Sequence, residues 1–93
     1  MTRLVDNNWD KVGVTVDWFS SLMRGKMAAN THKGDWNNVT PDQLEKRFFE
    51  ELQEFKDAKR KSDKVMELAD IANICMIMAD NIRGQDEVKA PSA

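Results

Sequence analysis

The sequence predicts an all-α domain, an antiparallel helical hairpin preceded by an N-terminal helix. Three observations predict it. Apolar residues recur at helical spacing through the first segment, a complete capping signature opens the second, and the third is a long apolar run between acids. Strand signals are weak: no stretch alternates over a strand's length, and neither Asn-Gly nor Asp-Gly occurs to turn a hairpin.

In the first segment, Val5, Trp9, Val12, Val16, Phe19, Met23 and Met27 follow one another at steps of three and four, the spacing of one helix face. Gly13 weakens this helix and Gly25 marks fraying towards its end. Asn30 to Asn38 reads as a loop, rich in residues that favour turns. Thr40 then supplies an N-cap, Pro41 suits the first helical position, Asp42 meets the positive end of the dipole and Gln43 completes a capping box. The second helix is expected from Pro41 to about Lys61. Ser62 and Asp63 interrupt the pattern, and a third helix should run to Arg83, closed by Gly84. Residues 1–84 therefore read as a single helical domain and residues 85–93, with Pro91, as a flexible tail.

Ninety-three residues support only a marginal core, since a chain this small buries about 60% of its unfolded surface. The third segment is apolar nearly all the way round from Val65 to Ile82, and three helices cannot cover it. Oligomerisation is the expected remedy: a homodimer or homotetramer completing a four-helix-type bundle. No disulfide is available, because Cys75 is the only cysteine; set in an apolar run, it reads as a small core residue in a reducing compartment. Met1 to Asn8 carries charges and asparagines where a secretory signal would be apolar, so a cytoplasmic protein is expected. The run Ile71 to Ala79, bounded by Asp70 and Asp80, falls well short of the roughly 20 residues that span a bilayer. The net charge of -2, with signs interspersed, leaves no basic footprint for duplex nucleic acid.

The informative anomaly lies on the hairpin. Leu44, Phe48, Leu52, Phe55 and Ala58 form an apolar stripe on the second helix, with Glu51 in its middle and Glu54 at its edge. The apolar third helix carries Glu67 and Asp70 at the same spacing, with Asn81 further along that face and Asn73 beside it. Burying an ionised carboxylate costs several kcal/mol without a partner, and the third helix offers only Lys64 and Arg83, at its ends. A divalent cation removes the conflict. Hard oxygen ligands without His or Cys point to Mg²⁺, with Mn²⁺ as a substitute.

Glu50-Glu51-Leu52-Gln53-Glu54, then twelve residues, then Glu67-Leu68-Ala69-Asp70 resembles the EExxE…ExxD signature of the MazG-like all-α nucleoside triphosphate pyrophosphohydrolases. Asp35-Trp36, the Thr40-Pro41 cap, Ala69-Asp70-Ile71-Ala72-Asn73 and Ala79-Asp80-Asn81 extend the similarity to short phage- and mobile-element-type members. The resemblance implies that Glu51, Glu54, Glu67 and Asp70 bind Mg²⁺ and that Glu50 holds or activates water. It also implies cleavage of a (deoxy)nucleoside triphosphate between its α and β phosphates, giving a monophosphate and pyrophosphate. The chain departs from the pattern in two ways. Many members have a further helix after the third, and their phosphate-binding basic residues have no clear match among Lys33, Arg47 and Arg83.

The loop residues His32 and Trp36 offer a base-stacking surface, or Trp36 instead pins the loop to the core. Lys33 contacts phosphate or is simply solvated. Asn73 and Asn81 orient a ligand or the substrate, or they satisfy backbone groups across an interface. A di-iron carboxylate bundle is disfavoured, because it needs Glu-x-x-His pairs and His32 lies outside both motifs. The remaining alternative is a non-enzymatic helical module for dimerisation or partner binding.

Overall fold

The computed structural model describes residues 2–30 and 39–92, with side chains described over residues 9–29 and 39–84. These form α1 (Thr2–Asn30), α2 (Pro41–Asp57) and α3 (Lys61–Ser92), with no strand among the described residues. The all-α class is as the periodicity predicts. Of the loop expected from Asn30 to Asn38, Asn30 is the last residue of α1 and the rest lies outside the described residues.

Helix α3 is the central element, with α2 and α1 both packed on it. The start of α2 is built as its sequence dictates. Thr40 is extended, with φ -77 and ψ 157; the Gln43 N–H donates to Thr40 Oγ1 at 3.1 Å, and the Thr40 N–H donates to Gln43 Oε1 at 3.0 Å. Two otherwise orphaned donors are thereby satisfied by side chains that the turn itself holds in place.

The helix ends depart from expectation in two places. α2 stops at Asp57, four residues before Lys61, and Ala58 leaves the apolar stripe to become an extended C-cap at φ -65, ψ 137. No glycine or proline forces this stop. At this end Lys64, in the first turn of α3, donates from Nζ to the Phe55 carbonyl at 3.0 Å and lies 4.9 Å from the Phe55 ring centroid. A cation from the next helix thus takes a last-turn carbonyl of α2, where the dipole favours positive charge. The second departure is Gly84, which does not close α3. No glycine among the described residues has positive φ, and the backbone continues helical to Ser92, so the tail expected from Gln85 is helical as well. Gln85, Glu87, Lys89 and Ala90 are good helix formers, and a glycine ends a helix only by turning left-handed.

A Cβ added at Gly84 meets no atom within 4 Å. Gly84→Ala should therefore stabilise the protein by about 0.5 to 1 kcal/mol, raising the melting temperature by a few degrees. A lower melting temperature would place residue 84 in the left-handed conformation of a helix stop.

The apolar core is thin. Among the described residues Leu44, Ala69 and Ile74 are the buried apolar side chains, Leu44 at 1% exposure. Much of the α1 stripe faces outward: Trp9 is 67% exposed, and Val12 and Val16 are also exposed. Within one chain α3 is only partly covered, as the sequence predicts for three helices: Leu68, Met76, Ile82 and Cys75 are exposed. Cys75 is thus no core residue here. The reason is geometric: two neighbouring helices cover only part of a cylinder that is apolar on all sides.

Candidate metal centre

Two helix turns set the site. Glu51 and Glu54 sit three residues apart on α2, and Glu67 and Asp70 three apart on α3, so each pair shares a side of its helix. The short Ala58–Arg60 connection folds the two helices against each other. One oxygen each from Glu51, Glu54 and Glu67 then lie within 4.8 Å of one another. In an octahedral Mg²⁺ shell with oxygens at about 2.1 Å, adjacent ligands are about 3.0 Å apart and opposite ones about 4.2 Å, so the three carboxylates would draw closer together to share one ion.

Asp70 stands outside this triad. Its Oδ2 lies 3.2 Å from Lys26 Nζ of α1 in a half-buried ion pair. Lys26 is the basic residue that sequence reasoning missed. Nothing marks it in the sequence; it stands next to Met27 of the apolar stripe, and only the packing of α1 on α3 brings it to the acidic cluster.

The electrostatics of the triad are unfavourable as they stand. Glu51 Oε2 and Glu67 Oε2 are buried atoms with no hydrogen-bond partner. Two ionised carboxylates can only accept, so a proton is the one donor that the cluster itself can supply. The Glu51 carboxyl is accordingly pushed up from 4.5 to about 8, first by burial, then by hydrogen bonding to Glu67 and Glu54 and by the charges of Glu54 and Asp70. Glu54 is exposed, which leaves the triad open to solvent on the α2 side. Orphaned carboxylate oxygens, an all-oxygen donor set and an open side fit a hard divalent cation.

The remaining predicted residues are placed as follows. Glu50 is exposed and lies outside the triad, about 100° around α2 from Glu51. Asn73 is 5% exposed and donates from Nδ2 to the Met23 carbonyl of α1 at 2.9 Å, so its amide fastens α1 to α3; its Oδ1 is buried without a partner. Asn81 is half-buried, about 16 Å further along α3 than Asp70 at 1.5 Å per residue. Arg83 lies further still and pairs with Asp80 beside a groove of about 390 Å³ lined by Met76, Ala79, Asp80 and Arg83. The structure therefore does not bring Arg83 to the carboxylates. Arg47 is exposed one turn before Glu51. Lys33, Trp36 and His32 lie outside the described residues.

Comparison with family models, with curated proteins and with solved structures finds no match to this chain.

Proposed function

We propose that this chain is a Mg²⁺-dependent nucleoside triphosphate pyrophosphohydrolase of the MazG-like kind, acting in the cytoplasm on a (deoxy)nucleoside triphosphate. The observation that carries the reading is the triad: three carboxylates from facing helices within 4.8 Å, two of them with buried, unpartnered oxygens. The EExxE…ExxD spacing supports it independently of the coordinates. Glu51, Glu54 and Glu67 would hold the ion, and Asp70 would join them from its pair with Lys26. Mg²⁺ bound there supplies neutralisation of the triphosphate and polarisation of the attacked phosphorus. Glu50, which the sequence resemblance gives the water-handling role, is exposed on α2 next to Glu51 in the chain and would take the proton of the attacking water.

The test is incubation with a panel of ribo- and deoxyribonucleoside triphosphates and Mg²⁺. Pyrophosphate and a nucleoside monophosphate should appear in equal amounts, and the ranking identifies the substrate. Release of orthophosphate, or no release from any member, defeats the proposal.

The exposed stripe of α1 supports a second element of the reading, a homo-oligomer. Trp9, Val12 and Val16 share one side of α1, and so many exposed large apolar side chains are unusual for a small monomer. A second copy packing on α1 and α3 would complete the bundle as a homodimer or homotetramer. Sedimentation should give a mass of two or four chains; a monomer at micromolar concentration refutes this. The same stripe favours the rival reading, a partner-binding module without catalysis. That reading requires leucine at Glu51 and Glu67 to be neutral or stabilising whether or not Mg²⁺ is present.

A further inference from the structure

We propose that Lys26 is the phosphate-holding cation of this site, released from Asp70 when a divalent ion takes that carboxylate. The inference rests on the metal-centre reading above and adds a residue that neither the sequence motif nor its spacing contains. Lys26 Nζ lies 3.2 Å from Asp70 Oδ2, and it is the one basic side chain among the described residues in contact with a carboxylate of the expected ligand set. The other cations near the hairpin are differently placed. Lys64 is held by the Phe55 carbonyl and ring, Arg83 pairs with Asp80 several turns away, and Arg47 points from an exposed face of α2.

The position of Lys26 is also fixed more firmly than a surface lysine's. One turn earlier on α1, the Met23 carbonyl accepts from buried Asn73, one turn beyond Asp70 on α3. That bond sets the register of α1 against α3, and with it the placement of the ammonium beside the acids. A carboxylate oxygen engaged by a metal is a weaker acceptor for an ammonium, because its charge is already neutralised. Lys26, 27% exposed on a flexible four-carbon stem, can then turn from Asp70 to a phosphate oxygen of a metal-bound polyphosphate without any backbone movement. A triphosphate carries more negative charge than a single Mg²⁺ neutralises, and a lysine is suited to the remainder as a mobile point charge.

The experiment uses the full chain and two readouts that need no turnover. Mn²⁺ alone is titrated by its electron paramagnetic resonance signal, and Mg²⁺–tripolyphosphate is titrated by calorimetry. Lys26→Met should bind Mn²⁺ at least as tightly as the wild type, because a competing cation has left Asp70, while losing about tenfold or more in tripolyphosphate affinity. Lys26→Arg should recover most of that loss. Lys11→Met, on the same helix about 22 Å away, should match the wild type in both. If Lys26→Met melts without a cooperative transition, Lys26→Gln, which can still hydrogen-bond to Asp70, carries the same comparison. Tripolyphosphate affinity within twofold of wild type in a variant that holds Mn²⁺ overturns the role of Lys26 alone, as does loss on Arg47→Met with none at Lys26. Failure of the wild type to bind Mn²⁺ overturns the metal centre and this inference with it.

Discussion

Glu67→Gln protein should melt at a higher temperature than the wild type in EDTA and should gain almost nothing from Mg²⁺. The amide keeps the shape of the side chain, supplies a hydrogen-bond donor to Glu51, and removes one of the charges crowded into the triad. Without a cation, that exchange relieves two buried oxygens that have no partner. With a cation, it removes a ligand. The wild type should respond the other way. An ion that binds only the folded state stabilises it by about 2.7 kcal/mol at a hundredfold excess over its dissociation constant. For a domain of this size that is a rise of roughly 10 to 20 °C. The same substitution should reduce pyrophosphate release by about a hundredfold or more, since a catalytic metal is worth several kcal/mol. A wild-type melting curve that stays put across millimolar Mg²⁺ would defeat the metal centre.

In EDTA the wild-type melting temperature should fall as pH rises from about 5 to above 8. The Glu51 carboxyl titrates at its ordinary 4.5 in the unfolded chain and at about 8 in the folded one. Between those values the folded state binds more protons than the unfolded state, so stability declines with rising pH across that window and levels off above it. Glu51→Gln should flatten the decline, because the amide has no proton to lose. Saturating Mg²⁺ should flatten or reverse it, because the ion takes the ionised carboxylate and displaces the proton, which makes binding tighter as pH rises. Melting curves at half-unit pH steps, with and without Mg²⁺, measure all three. A wild-type curve in EDTA that rises steadily from pH 5 to 8 would mean that Glu51 ionises as an ordinary surface acid.

How much of this was legible in the sequence depended on how local the controlling interaction is. The Thr40–Gln43 capping box is complete within four residues, and it stands in the structure as read. The approach of Glu51 and Glu54 to Glu67 followed from two local spacings and a short connection, so the triad was legible too. The end of α2 was not, because Ala58-Lys59-Arg60-Lys61 is good helix-forming sequence, and the bond from Lys64 that takes the Phe55 carbonyl there belongs to the packing of the next helix. Gly84 misled for the opposite reason: glycine permits a helix stop without requiring one. Asp70 was grouped with the triad by pattern, yet its partner lies on α1, at a residue whose neighbours gave no reason to single it out. Asn73 could be read from the sequence either as orienting a ligand or as satisfying backbone groups, and only the packing of α1 on α3 shows its Nδ2 donating to the Met23 carbonyl.

The two halves of the molecule differ in how far the chain must travel to close them. The Lys64–Phe55 hydrogen bond joins residues nine apart, whereas the Asn73–Met23 bond joins residues 50 apart. Closing the longer loop costs about 1.5 kcal/mol more chain entropy. The carboxylate hairpin should therefore assemble early in folding and be the last part to open. α1 should dock late and exchange its amide hydrogens faster, so slow transient undocking of that helix would expose the acids without dismantling them.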